Sequence, residues 1–372
     1  MNTDERLCSI ALTLCPGIGH IGAKRLVDTV GSAADVFGLR TELPERYPGI
    51  FHTSVVAALD NPAAFLQAEK ELEWAEKNRV DCLTLSDERY PSRLRDCEDA
   101  PIVLFFKGNA DLNRLRVVSM VGTRRATDYG KCFCTDFLRD LSELCSDVLV
   151  VSGLAYGIDV HAHRAALSSG LSTVGVLAHG LDRIYPAVHR KTAVDMLAEG
   201  GLLTEFLTNT NPDRHNFVSR NRIVAGMSDA VIVVESAAKG GSLITAELAE
   251  GYHRDCFAVP GRATDEYSMG CNQLIRDNKA ALINDASDFV KAMNWGHGEE
   301  SRKTAAVQRS LFPELTEEEM RVVKILSRDD LHINTLVVEA NIPVNRMSAI
   351  LFELEMKGVV KALVGGVYHL LA

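Results

Sequence analysis

Short apolar runs and amphipathic segments alternate through the middle of the chain. The apolar runs are rich in valine and nearly continuous, which is typical of strands buried on both faces of a parallel sheet. The segments between them show the 3.6-residue periodicity of helices. The predicted strands are 80–85, 102–106, 117–121, 148–151, 173–177, 230–234 and 257–259, and the predicted helices include 129–144, 159–168 and 243–253. This alternation predicts an α/β domain with a doubly wound, mostly parallel sheet.

The C-terminal segment follows a different pattern, with three helical stretches and a short strand pair. Thr316 and Glu319 have the spacing of a capping box ahead of the first apolar run. The later elements are predicted as helices at 333–340 and 344–356, the second ended by Gly358, and as strands at 359–364 and 367–370 around Gly365 and Gly366. Three helices followed by a hairpin predict a winged-helix domain.

Changes in composition along the chain divide it into domains. The first part shows short helical patterns with turns, and polar stretches near Asn78 and after Trp295 indicate boundaries. The predicted division is a small helical domain at 1–78, an α/β domain at 79–293, a linker at 294–314 and the winged-helix domain at 315–372.

Composition and charge narrow the function. The chain has 372 residues, of which 47% are hydrophobic and 24% are charged, as in an ordinary soluble globular protein. Its formal net charge of −10 argues against a protein that coats nucleic acid by bulk positive charge, so a phosphate ligand has to be held by a local site. No apolar stretch is long enough to span a membrane, and the N-terminus lacks a basic segment followed by an apolar run. We therefore expect a cytoplasmic protein with no membrane partner.

The sequence offers little for cofactor, metal or catalytic chemistry. Within the α/β segment neither G-x-G-x-x-G nor G-x-x-x-x-G-K-[ST] occurs. The nine cysteines form no C-x-x-C pair, so reduced and mostly buried thiols are expected, and Cys132 with Cys134 is only a weak metal signal. No carboxylate pair or hydrolase motif is present. The residues from which an acid/base site could still be assembled are Asp159, His163, Glu205 and Glu235. We predict no catalytic residue, no metal and no cofactor.

Four clusters are predicted at the carboxyl ends of strands, where open α/β sheets bind their ligands. The first is Gly122, Thr123 and Arg124, in a stretch with four basic residues and one acid between Arg116 and Lys131. Its glycine lets backbone N–H groups approach a phosphate, and its arginine can donate to two phosphate oxygens.

The second cluster runs from Ser152 to Asp159 and the fourth from Lys239 to Thr245. Both are glycine turns that open a helix, so their amides and hydroxyl groups suit an anion. For Asp159 the alternative is a purely structural role as a helix N-cap.

The third cluster combines basic residues with an aromatic ring. Three arginines and no acid lie between Arg214 and Arg222, together with Phe217. This interleaving suits a single strand, whose phosphates pair with the cations while an unstacked base rests on the ring. The alternative is that Phe217 belongs to the core and that the arginines pair with Glu205 or Glu235.

Seven motifs carry a family resemblance, in order and at matching spacing. They are V-G-T-R at 121–124, S-G-L-A-Y-G-I-D at 152–159, A-H-R-A-A-L at 162–167, G-L-D-R-I-Y-P at 180–186, R-N-R-I-V-A-G at 220–226, G-S-L-I-T-A at 241–246 and V-P-G at 259–261. They resemble the DNA-processing protein A (DprA/Smf) family. The resemblance implies an extended Rossmann-like domain that binds single-stranded DNA without a nucleotide cofactor and forms a homodimer. It also implies that the protein protects incoming DNA and loads the RecA recombinase during natural transformation.

The clusters and the resemblance together give one set of predicted DNA-binding residues. These are Gly122, Thr123, Arg124, Ser152, Gly153, Leu154, Ala155, Gly157, Asp159, Phe217, Arg220, Asn221, Arg222, Lys239, Gly240, Gly241, Ser242 and Thr245.

The flanking domains give weaker signals. The segment from Leu14 to Ala23 resembles a helix-hairpin-helix turn of the SAM-like kind, whose glycines expose amides either to a DNA phosphate or to a protein partner. From Leu315 onward the chain has six basic residues and eight acids, and the presumed recognition helix at 344–356 is nearly neutral. Because a duplex reader concentrates cations on that helix, we predict a protein-interaction or weak DNA role for this domain.

Two other functions remain open on the sequence alone. One is a Rossmann-like hydrolase that acts on a nucleotide phosphate or ribosyl bond with Glu235 or Asp159. The other is a scaffold that dimerises and binds a recombinase, with DNA binding secondary.

Overall fold

A computed structural model of the chain describes residues 4–48, 53–145, 147–295, 315–327, 331–357, 359–363 and 366–370. The contacts divide the chain into two compact units, Met1–Trp295 and Gly296–Ala372. Most of the predicted linker, as well as Gly358 and Gly365, lies outside the described residues. The predicted boundary between residues 78 and 79 stays a prediction.

The first unit is built on a mixed sheet. Its strands within the described residues are β1 Asp81–Thr84, β2 Val103–Gly108, β3 Arg116–Val121, β4 Val148–Ser152, β5 Ser172–Val176, β6 Gly200–Thr204, β7 Ala230–Val233, β8 Asp255–Ala258 and β9 Ala281–Leu282. They lie in the order β1-β2-β6-β5-β4-β3-β7-β8-β9. The β1–β2 and β2–β6 pairs are antiparallel, and every pair from β6 to β9 is parallel. The predicted doubly wound, mostly parallel sheet is confirmed.

The sequence pattern missed β6 and β9. A Cβ atom at Gly200 would overlap the carbonyl of Thr173, and one at Gly201 would overlap the ring of Phe106. The close approach of neighbouring strands therefore requires glycine here, and glycine removes the side chains by which a strand is predicted. β9 has two residues, too few to form a pattern.

Helices cover both faces of this sheet. The helices of the first unit are α1 Glu5–Thr13, α2 His20–Val30, α3 Ala33–Gly38, α4 Leu43–Arg46, α5 Thr53–Leu59, α6 Pro62–Lys77, α7 Ser92–Arg95, α8 Asp128–Leu144, α9 Ile158–Ser168, α10 Arg190–Glu199, α11 Arg214–Gly226, α12 Gly241–Gly251, α13 Met269–Arg276 and α14 Ala286–Ala292. The helices predicted at 129–144, 159–168 and 243–253 correspond to α8, α9 and α12. Among the described residues, no helix has the length and apolar character needed to cross a bilayer.

The core explains why the central strands are apolar throughout. In β3, Val117 and Val121 pack into one buried cluster, whereas Val118 and Met120 pack into another. Successive side chains of a strand point to opposite faces, so both faces of the sheet are covered. A third cluster joins the helices α1 to α6 to β1 and β2, through residues such as Phe105. The N-terminal helices thus pack on the antiparallel edge of the sheet.

The second unit has a winged-helix arrangement. Its described elements are α15 Glu317–Leu326, β10 Leu331–His332, α16 Ile333–Ala340, α17 Val344–Met356, β11 Val360–Leu363 and β12 Val367–Leu370. The strands lie in the order β10-β12-β11. The capping box is formed, because the Glu319 amide donates to the Thr316 hydroxyl while the Glu319 carboxylate accepts from the Thr316 amide. The predicted winged helix is confirmed, and the sequence missed only the two-residue β10.

Candidate nucleic-acid interface

A cleft of about 750 Å³ opens where the strand order of the sheet reverses. β3 lies between β4 and β7 at this point, and the loops after these three strands meet α11 and α12. We call it the switch-point cleft. Its lining residues are Val121, Gly122, Thr123, Arg124, Ala155, Asp159, Tyr185, Pro212, Arg214, Phe217, Val218, Arg220, Asn221, Ala237, Lys239, Gly240, Gly241, Ser242, Leu243, Ile244, Thr245 and Glu247. Open α/β sheets bind ligands at this position.

The lining of the switch-point cleft is positively charged in a protein that is negative overall. Four cationic side chains face two carboxylates, those of Asp159 and Glu247. Three of the cations, Arg124, Arg214 and Lys239, are exposed. In the part of the chain that the structure describes, none of these three forms an ion pair. Their charge is therefore available to an anionic ligand.

An aromatic ring lies among these cations. Asp213 caps α11 by accepting from the Asn216 amide. One face of the first turns of α11 lines the cleft. Phe217 is on that face, with the guanidinium carbon of Arg124 4.7 Å from the centroid of its ring. The Tyr185 ring centroid lies 6.1 Å from that of Phe217. A planar base can stack on such a ring while the cations hold its phosphates.

Two buried charges form the floor of the cleft. Arg220 is 3% exposed and donates from its guanidinium to the carbonyl of Val176. Burial lowers the pKa of Arg220 to about 10, although the Asp159 carboxylate acts in the opposite direction. Burial raises the pKa of Asp159, opposed by the charge of Arg220 and by hydrogen bonds from the backbone of Ala155 and Gly153. Each charge offsets part of the desolvation cost of the other.

The loops after β3 and β4 are locked together beneath this lining. Gly157 has φ +77°, and a Cβ there would overlap the carbonyl oxygen of Thr123. The same carbonyl accepts from the Ile158 amide at 3.1 Å. The Ser152 hydroxyl donates to the Met120 carbonyl at 2.6 Å. These contacts fix the position of the first cluster relative to the second.

The start of α12 supplies backbone donors. Gly240 is the N-cap and makes no side-chain capping bond, so the first amides of the helix lack a side-chain acceptor. The Ser242 hydroxyl is occupied, because it donates to the Ser236 hydroxyl at 2.9 Å. An added Cβ at Gly241 would meet no atom within 4 Å. An uncapped helix N-terminus beside Lys239 suits a phosphate.

Gly241→Ala is expected to weaken DNA binding about threefold to tenfold without lowering stability, because its methyl group would occupy space through which a phosphate reaches the amides of α12. Open space at this position leaves the fold intact. Gly251→Ala is the matched control, since Gly251 ends the same helix in equally open space. The measurements are fluorescence anisotropy with a labelled oligonucleotide and thermal unfolding. Equal affinity of both variants and wild type would contradict the role of this helix end.

The structure brings most of the predicted site residues together at the cleft. Those that line it are Gly122, Thr123, Arg124, Ala155, Asp159, Phe217, Arg220, Asn221, Lys239, Gly240, Gly241, Ser242 and Thr245. Those outside the lining are Ser152, Gly153, Leu154, Gly157 and Arg222. Ser152 and Leu154 are fully buried, and a Cβ at Gly153 would overlap the guanidinium of Arg220. Their contacts support the cleft from below.

Arg222 points away from the cleft. Its guanidinium donates to the carbonyl of Asp99 at 2.5 Å and pairs with the carboxylate of Glu205. The alternative raised for these arginines, an ion pair with Glu205, therefore holds for Arg222. Sequence reasoning also missed nine lining residues, among them Tyr185 and Arg214. Tyr185 lies within the motif at 180–186 and Arg214 begins the basic stretch, so both signals were present.

The residues considered for acid/base chemistry have separate partners. Glu235 accepts from the amide and hydroxyl of Thr127 at the start of α8. His163 is fully buried with Nδ1 2.7 Å from the Thr173 hydroxyl, and burial lowers its pKa to about 3. Of the four candidates, Asp159 lines the cleft.

The nine cysteines are free, and seven of them are buried. Cys134 is buried whereas Cys132 is exposed, so the two thiols do not face a common site. Within the described ranges, no group of three or more His, Cys, Asp or Glu residues is placed to hold a metal ion.

The fold and the cleft define a Rossmann-like protein with a positively charged site at the switch point of its sheet. The family model for DNA recombination-mediator protein A matches residues 81–294, and the model for the DprA winged helix domain matches residues 308–366. The chain belongs to the DprA/Smf family.

Curated relatives agree with this assignment. DNA processing protein DprA from Streptococcus pneumoniae is 35% identical over 239 residues, which are 63% of this chain and 83% of the relative. Protein Smf from Escherichia coli is 31% identical over 311 residues, 81% of this chain and 80% of the relative. A DprA relative from Mycobacterium tuberculosis is 42% identical over 223 residues, and the chain spans 56% of its length.

Two solved structures share the fold. The X-ray structure of DprA from Streptococcus pneumoniae has a TM-score of 0.60 and 30% identity, covering 78% of this chain and 98% of that one. A structure of DprA from Helicobacter pylori, which concerns the single-stranded DNA binding mode of that protein, has a TM-score of 0.53 and 29% identity. It covers 59% of this chain and 98% of that one.

Proposed function

We propose that this protein binds single-stranded DNA in the switch-point cleft and acts as a recombination mediator, by binding and without catalysis. The observation that carries the proposal is the meeting of Arg124, Arg214 and Lys239, unpaired among the described residues, beside the Phe217 ring. Cations pair with phosphates, and a partly exposed ring can stack on a base. Bases in a duplex are already stacked, so the ring favours a single strand. The single-stranded DNA binding named for the Helicobacter pylori relative supports this.

The net charge supports the same choice. A formal charge of −10 opposes long-range association with any polyanion. Local positive charge in the cleft overcomes this repulsion only for a strand that enters it, whereas a duplex lying across the surface meets the acidic remainder. We therefore propose selectivity for single strands over duplexes.

The test is a binding series with one labelled oligonucleotide, single-stranded and as a duplex, at 50 and 200 mM salt. The slope of log affinity against log salt is about −0.7 for each neutralised phosphate on a single strand. If the three exposed cations each neutralise one phosphate, affinity should fall roughly twentyfold over this range. Duplex binding as tight as single-strand binding would contradict the proposal.

The role of the protein beyond DNA binding is proposed from its family. We propose that the protein forms a homodimer, protects incoming strands and loads the RecA recombinase on them during natural transformation, in the cytoplasm. The winged-helix unit then serves a protein partner or binds DNA weakly, because its helix α17 is nearly neutral. Membership of the DprA/Smf family supports these assignments.

The dimer is tested by light scattering behind size exclusion, with and without oligonucleotide. We expect twice the mass of the chain in both conditions. The scaffold function also requires this dimer. A monomer that binds DNA tightly would contradict the proposed dimer and the scaffold alike.

A further inference from the structure

A second cleft, of about 580 Å³, lies between the N-terminal helices and the loop that follows β6. We call it the hairpin cleft, because the turn between α1 and α2 that resembles a helix-hairpin-helix forms one wall. Leu14, Ile18 and Phe206 contribute apolar surface, whereas His20, Glu205 and Thr210 contribute polar groups. Apolar walls with a few polar groups are typical of small-ligand sites.

Glu205 lines the hairpin cleft, and one of its carboxylate oxygens is unsatisfied. Its side chain is 4% exposed. Oε2 accepts from the guanidinium of Arg222 and lies 3.3 Å from Nδ1 of His20. Oε1 is buried and has no hydrogen-bond partner among the described residues. A buried carboxylate oxygen without a donor is unfavourable, so this position favours a ligand that brings an N–H or O–H group.

The charge around Glu205 restricts that ligand. Arg222 already balances the carboxylate, so a second full cation is not needed. A neutral donor on a flat, mostly apolar body fits better, because the walls are apolar. Carboxylates in protein–DNA contacts accept from the exocyclic amine of cytosine.

Some lining residues of the two clefts are close in sequence. Asn209 and Thr210 line the hairpin cleft, whereas Pro212 and Arg214 line the switch-point cleft. The inference for a strand is that one held by Arg214 follows this segment and places a base in the hairpin cleft.

We propose that the hairpin cleft binds a nucleobase with an exocyclic amine, which donates to Oε1 of Glu205, and that it discriminates against thymine. Thymine carries a carbonyl oxygen where cytosine carries its amine. Its one ring donor, N3–H, lies between two carbonyl oxygens that would repel the carboxylate. The inference rests on the proposed single-strand binding when the base belongs to a strand. The same chemistry applies to a free nucleotide, which provides a separate test.

The protonation state of Glu205 makes the discrimination between cytosine and thymine depend on pH. The charged and titratable groups around it are Arg222, Asp99, Tyr90 and His20, and His215 faces His20. Burial raises the pKa of Glu205 to about 7, although Arg222 lowers it. Burial and Arg222 together lower the pKa of His20 to about 4, so His20 stays neutral between pH 6 and 8. The carboxylate that accepts from the amine is present at pH 8 and is largely lost at pH 6.

The experiment compares the affinities of the full chain for oligo-dC and oligo-dT of equal length, by anisotropy at pH 8 and pH 6. One hydrogen bond to a charged group predicts that dC binds about tenfold tighter at pH 8, and that this ratio shrinks at pH 6. The ratio should approach one in Glu205→Gln and in Thr13→Trp, which fills the cleft from an exposed position on its wall. Thr135→Trp is the control, since Thr135 is exposed on α8 and its hydroxyl bonds a backbone carbonyl of its own helix, as that of Thr13 does.

A second arm uses free dCMP and dTMP with ligand-observed saturation-transfer NMR. The inference is supported if dCMP binds more strongly than dTMP, and if Thr13→Trp removes this binding while Thr135→Trp retains it. This holds even if oligonucleotides fail to bind, because that failure would count against the proposed function alone. If oligonucleotides bind with a dC to dT ratio that neither cleft variant changes, and dCMP gives no signal, the inference is overturned while the proposed function stands. Thr13→Trp retains both Glu205 and Arg222, so the test does not depend on the folding of Glu205→Gln.

Discussion

Arg124→Ala is expected to weaken single-strand binding about tenfold or more. The guanidinium is exposed, forms no ion pair within the described residues and lies over the Phe217 ring. Hydrogen bonds to a charged phosphate contribute about 1.5–3 kcal/mol, and 1.4 kcal/mol is a factor of ten. Removal of one phosphate contact should also reduce the salt slope by roughly 0.7. The measurement is anisotropy with a labelled single strand across a salt series.

Two control variants separate position from charge. Arg125→Ala makes the same change in net charge, but Arg125 is exposed next to Arg124 and does not line the switch-point cleft. Arg124→Lys keeps the charge but loses the planar guanidinium that donates to two oxygens. Its affinity should therefore lie between those of the wild type and Arg124→Ala. If Arg125→Ala lost as much affinity as Arg124→Ala, the effect would come from general electrostatics. That result would contradict DNA binding in the switch-point cleft.

Gly157→Ala is expected to destabilise the first unit by about 3 kcal/mol or more, and to abolish DNA binding in what remains folded. Gly157 has φ +77°, a region unfavourable for a residue with a Cβ. The added Cβ would also overlap the Thr123 carbonyl, whose backbone is held by the Ile158 amide. Relief of this overlap would separate the loops after β3 and β4 and so move Arg124. Overlap with backbone in a packed region is among the large mutational effects.

Gly170→Ala is the control for a positive φ without steric overlap. Gly170 has φ +69°, but a Cβ there would meet no atom within 4 Å. It should therefore destabilise by only about 1 kcal/mol, the cost of the left-handed conformation alone. Urea unfolding of both variants gives the two values. Equal values would show that the contact between the two loops contributes nothing beyond backbone strain.

The location of the site was predictable because strand ends carry recognisable residues. The glycines and cations after β3 and β7 identified the two loops that meet at the switch point, and parallel strands bring their carboxyl ends to one edge. The helix α11 was harder to predict. Its buried positions include Arg220 and Arg222. Because these are charged residues, the buried face of the helix is not visible in the sequence as an apolar stripe. β6 was missed for a related reason, since Gly200 and Gly201 leave no side chains to form a pattern.

The hairpin cleft could not be found from sequence. Its walls come from α1, α2, α6 and the segments before β2 and after β6, which are far apart in the chain. Glu205 was noticed as an acid, but its unpartnered oxygen arises only when Arg222 and His20 approach the other oxygen. An unsatisfied group is a property of the packed surroundings, and no local pattern encodes it.

The sequence by itself determined the α/β and winged-helix classes, the capping box of Thr316 with Glu319 and the loops that form the switch-point cleft. These depend on periodicity, caps and glycine turns, which act over a few residues. Only the tertiary structure decided that Arg220 lies in the floor of the switch-point cleft while Arg222 pairs with Glu205. Two residues apart on a helix, their side chains point in nearly opposite directions. The elements packed on each side of α11, and not the sequence of the helix, determine which of the two arginines faces the switch-point cleft.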